Sequence, residues 1–237
     1  MGQAPPYHSC GGGASLAARH NSAYAMSKCR RNGIMVLGLL AAAVFIALDH
    51  SSVSYHRQRR HRSDRQIRAH DSQKYHAKTF KVINVVDGDT IDVDIPDGQE
   101  EHTRIRLWGL DTPETKSEEF GVMYFGPEAA KFTEKSALGK EVVVYLDDAN
   151  RTRDKYGRLL AYVQLPEGSF LNEVLISEGY AYADSRFDHS FYNKYQQLQA
   201  SARSLKRGLW KKVSRERLPE WLQREKPTLL LTSEESG

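Results

Sequence analysis

The sequence predicts an α+β fold, a small five-stranded barrel carrying about three helices. Two observations predict it: five short strand-type runs between residues 79 and 165, and three helical segments each closed by a glycine. In chain order, "TFKVINVV" (79–86) and "TIDVDI" (90–95) read as strands, with Asp87-Gly88 between them as a hairpin-type turn. Pro96-Asp97-Gly98 makes a second turn into the strand at 102–108. There Arg104 and Arg106 alternate with Ile105 and Leu107, giving one polar and one apolar face. "GPEAAKFTEKSALG" has Pro127 in a first-turn position and Gly139 just past the end, so it reads as a helix. The strands "EVVVYL" (141–146) and "RLLAYVQL" (158–165) follow. "SFLNEVLISEG", closed by Gly179, and "SFYNKYQQLQASARSLKRG", closed by Gly208, are the second and third helices.

The 237-residue chain divides by charge. Residues 1–80 carry 12 Lys/Arg against 3 Asp/Glu, a net +9, and the remainder carries 22 against 27, a net −5. The domain is therefore mildly acidic, and any phosphate it binds must be held by local groups or a bound cation. Both cysteines, Cys10 and Cys29, precede it, which excludes a disulfide scaffold and a cysteine-based metal site there. Residues 1–32 read as a disordered extension. Lys28, Arg30 and Arg31 stand directly before an apolar run, Ile34 to Leu48, so 33–49 reads as a signal peptide or membrane anchor and the chain as exported or membrane-associated. Residues 50–74 read as a basic linker, 75–213 as the domain, and 214–237 as a tail that either packs a short helix on Trp221 and Leu222 or is free.

The chemistry concentrates in two stretches, Asp87-Gly88-Asp89-Thr90 and "RIRLWGLDTPETK" (104–116). An EF-hand loop is excluded, because Ile91 takes the place of the third ligand. Asp89 and Asp111, at the ends of neighbouring strands, can supply two oxygens to a hard cation, and Pro113 stiffens the turn that presents the Thr112 carbonyl. Arg106 and Arg158 can form a phosphate clamp, since guanidinium matches phosphate in a two-pronged way. Glu114 is then free to orient or deprotonate a water. Taken singly, each is a turn residue or a surface ion pair; together their spacing is specific.

From about Lys78 to Trp210 the chain resembles the staphylococcal (micrococcal) nuclease, or thermonuclease, family. The resemblance rests on "VVDGDT", "RIRLWGLDTPETK", "YFGPEAAKF", "DKYGRLLAY", "LNEVLISEGYA" and "GLW", in that order. It implies an OB-type five-stranded barrel with three helices. It also implies Ca²⁺ held by Asp89, Asp111 and the Thr112 carbonyl, with Asp87 reaching the ion through water. Glu114 then has the role of general base, Arg106 and Arg158 bind the phosphate, and Lys155 and Tyr156 contact a terminal phosphate and stack near the nucleotide. Tyr182 and Phe187 are both candidates for a further stacking aromatic. The implied activity is Ca²⁺-dependent hydrolysis of DNA and possibly RNA to 3′-phosphate products, with single strands preferred. The alternatives are a non-catalytic OB-type nucleic-acid-binding module, or a membrane-tethered adaptor acting through the basic linker.

Overall fold

A computed structural model describes residues 64–115 and 121–230. The extension, the apolar segment and residues 50–63 lie outside the described residues. Five strands close into a barrel in the order β1-β2-β3-β6-β5: β1 (Lys78–Asp87), β2 (Thr90–Val93), β3 (Thr103–Leu107), β5 (Glu141–Tyr145) and β6 (Leu159–Gln164). A short β4 (Leu110–Asp111) pairs with β7 (Tyr182–Ala183) outside the barrel. The helices are α1 (64–75), α2 (Gly126–Ala137), α3 (Leu171–Ser177), α4 (Tyr192–Ser204) and α5 (Glu220–Glu225).

Closure follows from β1. Its ten residues serve two neighbours, Lys78–Lys81 pairing with β5 and Val82–Asp87 with β2, and register shifts between the pairs bend it. The inward positions alternate as the pattern requires: Val82, Ile91, Val93, Ile105, Val142 and Val144 are wholly buried. Each is worth roughly 1.5–3 kcal/mol of burial. β6 is buried along nearly its whole length because α3 covers its outer face, and it joins β3 in parallel, Arg106 opposite Leu160. The Asp87–Thr90 hairpin forms as expected, with Asp87 opposite Thr90. Gly179 closes α3 as expected, with φ of +74°. α4 ends at Ser204, four residues before Gly208, which instead opens a short 3-10 turn (Gly208–Lys211) with φ of +49°; Lys206, at φ +52°, makes the left-handed exit from α4. A Cβ on Gly179 would run into the Arg207 carbonyl, and one on Gly208 into the Gly179 carbonyl, so the end of α3 and the turn that follows α4 meet only without side chains.

One boundary differs from the sequence expectation, and one alternative is decided. The folded domain takes in α1, from residue 64, rather than beginning at 75. Asp71, in the stretch read as linker, and Tyr75, the first residue of the expected domain, lie one turn apart on α1 and both are buried. Asp71 takes a two-pronged contact from Arg153 (2.8 and 2.9 Å) and a hydrogen bond from Thr152 (2.7 Å), which anchors α1 to the loop before β6. Of the two alternatives for the tail, the packed helix is the one seen: Leu218, Trp221 and Leu222 join Tyr182, Leu209 and Trp210 in a second apolar cluster.

Asp147, directly after β5, organises the loop that follows. Its carboxylate accepts hydrogen bonds from the Ala149 N–H (2.9 Å), Asn150 (3.1 Å), the Tyr162 hydroxyl (2.7 Å) and the Ser190 N–H (2.8 Å). Burial by itself raises its pKa, but these donors outweigh burial and hold it down to about 2. A carboxylate with a depressed folded pKa stabilises the fold above its unfolded pKa, and that stability is lost as the pH falls through the folded value. The stake is about 2 kcal/mol at neutral pH. Asp147→Asn is therefore expected to lose stability at pH 7, with the gap to wild type closing between pH 4 and pH 2. Urea unfolding at both ends of that range checks it, and a gap that persists at pH 2 contradicts it.

Candidate active site

Arg106 leaves β3 on its outer face, yet its side chain is only 14% exposed. Its guanidinium spans two carboxylates, Asp89 Oδ2 at 2.9 Å and Asp111 Oδ1 at 2.6 Å, and donates to the carbonyls of Leu110 (3.0 Å) and Leu107 (3.2 Å). Burial opposes its charge, but Asp89 and Asp111 more than restore it, so its pKa lies above the usual arginine value. Asp89 stands at the tip of the β1–β2 hairpin and accepts the Thr112 N–H at 3.0 Å. Asp111 is carried by β4, and its second oxygen accepts the Trp221 indole N–H at 2.8 Å, with Arg186 at 3.3 Å.

Glu114 follows on a turn pinned to the start of α2. Its carbonyl accepts the Met123 N–H (2.9 Å), and a Cβ on Gly126 would sit 2.6 Å from the same oxygen, so only glycine lets the helix begin this close. Burial, then repulsion from Asp87, Asp89 and Asp111, pushes the Glu114 pKa up to about 7. Burial chiefly pushes Asp111 up to about 6, with Arg106 only partly compensating, and Asp87 is raised by burial and by Asp89.

Arg158 stands just before β6 on the loop "DKYGR". Asp154 makes this turn: its Oδ1 accepts the N–H groups of Tyr156 (2.9 Å) and Arg158 (3.0 Å), and its Oδ2 accepts the Arg158 Nε–H at 2.7 Å. The turn lifts Tyr156 to 71% exposure, with Lys155 Nζ 4.7 Å and the Arg158 guanidinium 5.4 Å from its ring centroid.

The structure brings seven of the eight expected site residues to the wall of one cavity of about 820 Å³: Asp89, Arg106, Asp111, Glu114, Lys155, Tyr156 and Arg158. Thr112 lies behind it, tied to Asp89 through its backbone. Of the two candidate aromatics, Phe187 is 40% exposed and lines the cavity, whereas Tyr182 is fully buried and offers no stacking face. Three residues of this site carried no signal in the sequence. Arg186 and Asp184, two apart in an aperiodic loop, form an ion pair at 2.7 Å beside Asp111. Trp221 reaches Asp111 from 110 residues downstream.

The candidate ligand groups, the carboxylates of Asp87, Asp89, Asp111 and Glu114, offer only oxygen, as a hard cation such as Ca²⁺ requires. A dication among them would relieve the repulsion that adds to burial in raising Asp87, Asp111 and Glu114. On that chemistry the residues fit the ion. Among the described residues no three His, Cys, Asp or Glu side chains form a metal-binding group; Asp89 and Asp111 close on Arg106 instead.

The closed β1-β2-β3-β6-β5 barrel with its covering helices is an α+β fold of OB type. Residues 104–212 match the family described as Staphylococcal nuclease homologue. The thermonuclease of Staphylococcus hyicus is 40% identical over 134 residues, covering 56% of this chain and 76% of that protein. The thermonuclease of Staphylococcus intermedius is 38% identical over 142 residues, 57% of this chain and 77% of that protein. Endonuclease YncB of Bacillus subtilis (strain 168) is 34% identical over 139 residues, 56% of this chain and 64% of that protein. The chain belongs to the staphylococcal nuclease homologue family.

Proposed function

We propose that the protein is a Ca²⁺-dependent phosphodiesterase that hydrolyses DNA, RNA or both to 3′-phosphate ends and prefers single strands. The observation that carries this reading is the single cavity that gathers the Arg106 and Arg158 guanidiniums, a carboxylate cluster and exposed aromatic faces. Arg106 and Arg158 bind the non-bridging oxygens of the scissile phosphate and hold it as its charge develops. Glu114 orients a water and takes its proton while the water oxygen bonds to phosphorus. The bond from phosphorus to the 5′ oxygen breaks, that oxygen takes a proton from solvent, and the phosphate stays on the 3′ side. Asp89, Asp111 and the Thr112 carbonyl would hold Ca²⁺, which when bound supplies positive charge beside the phosphate. Tyr156 and Phe187 are the exposed rings on which unpaired bases stack, which is the support for a single-strand preference.

Incubating the full-length protein with single-stranded DNA, with Ca²⁺ or with EGTA, tests the reading. Cleavage is expected in Ca²⁺ and is expected to stop on chelation. Undiminished cleavage in EGTA removes the metal assignment, and absence of cleavage in both leaves a binding module of the same fold.

A further inference from the structure

The segment after Ser214 lies beyond the matched residues, yet it delivers a hydrogen bond into the site. "LPEWLQREKP" folds because Pro219 precedes the first turn of α5 and because Leu218, Trp221 and Leu222 bury together against Tyr182 and Leu209. α5 is then fastened at its end: the Ser185 hydroxyl donates to Glu225, and Lys226 donates to Gln196 on α4. So held, Trp221 is 8% exposed, and its indole nitrogen can point only at Asp111, whose Oδ2 accepts its N–H at 2.8 Å. Arg186 completes the contact, with its guanidinium 4.4 Å from the Trp221 ring centroid and 3.3 Å from the same Oδ2.

The two oxygens of Asp111 therefore have separate duties. Oδ2 is taken by donors from later in the chain, Trp221 and Arg186, and Oδ1 contacts Arg106, whose guanidinium also holds Asp89. A carboxylate on a strand end has a broad χ2 torsion and does not choose an orientation unaided. We infer that Trp221 is a positioning residue: its indole N–H fixes the Asp111 carboxylate so that Oδ1 faces the cation site, which makes residues 214–230 part of the active site. The inference rests on the Ca²⁺ reading of Asp111. Hydrogen bonds of this kind behind a metal ligand typically change metal affinity by about 10–100-fold when removed.

The test is calorimetric titration of Ca²⁺ into the full-length protein without nucleic acid, for wild type and Trp221→Phe. Phenylalanine keeps a ring under Arg186 but has no N–H. The expected result is Ca²⁺ binding by wild type and a Kd raised about tenfold or more in Trp221→Phe, with cleavage recovered at high Ca²⁺. Equal affinity in the two proteins overturns the inference and leaves the Ca²⁺ reading standing. No binding by wild type overturns the Ca²⁺ reading and the inference with it. A second measurement needs no variant to fold: in the wild-type protein the Trp221 indole N–H resonance is expected to shift during the Ca²⁺ titration with the calorimetric midpoint. A resonance that stays in place overturns the inference, since a Trp221 that served only to anchor α5 would move neither the affinity nor the resonance.

Discussion

Glu114→Gln is expected to cut the rate of phosphodiester cleavage by about 10²–10⁴-fold, the usual span for loss of a general base. The change is isosteric, so the turn pinned by the Met123 N–H and the close approach of Gly126 stay as they are. What is lost is the proton acceptor. Because Glu114 is assigned no direct place on Ca²⁺, the variant is expected to bind Ca²⁺ and nucleotide much as wild type does, and added Ca²⁺ is not expected to rescue it. Single-turnover rates across a Ca²⁺ titration check this. Full recovery at high Ca²⁺ would mean that Glu114 is a ligand and not the base.

Arg106 is expected to matter twice, to the rate and to the fold. Arg106→Ala leaves the Asp89 and Asp111 carboxylates without the guanidinium that spans them, and removing one partner of a buried ion pair costs about 3–5 kcal/mol. Arg106→Lys returns a positive charge but only as a point, which cannot satisfy Asp89, Asp111 and two backbone carbonyls together. Stability is expected to recover in part, while cleavage stays down by roughly 10²–10³-fold, the value of one electrostatic donor at a developing charge. Urea unfolding and cleavage rates on the same two variants separate these effects. A lysine variant with wild-type rate would remove Arg106 from the phosphate clamp.

What the sequence made legible was set by distance along the chain. β3 is plain because Arg104 and Arg106 alternate with Ile105 and Leu107 within five residues, and α2 and α3 because Gly139 and Gly179 mark their ends; α4 stops at Ser204, short of Gly208, because the chain leaves it through Lys206 at positive φ. The hairpin at Asp87–Thr90 and the Asp154 turn are equally local. β4 and β7 were missed because two residues cannot show a period, and their pairing joins Asp111 to Tyr182, 71 positions on. α1 was hidden in a run of basic residues, where charge density masked the one-turn spacing of Asp71 and Tyr75. The site residues came out largely together because most sit in two short motifs. Arg186 and Trp221 did not, since one looks like half of a local ion pair with Asp184 and the other becomes informative only once α5 is folded against β4.

The parallel pairing of β3 with β6 has a consequence for how activity is acquired. Arg106 and Arg158 stand 52 positions apart, and the register that sets Arg106 opposite Leu160 is what brings them to one cavity. No hairpin can make that contact; a long intervening loop has to be closed first, at an entropic cost recovered only when the strands join. A partly folded chain can hold the Asp87–Thr90 turn, the Asp154 turn and all its helices and still lack the phosphate clamp. On the proposed reading, catalytic competence is then a property of the closed barrel, to be lost with the β3–β6 pairing however much secondary structure the chain retains.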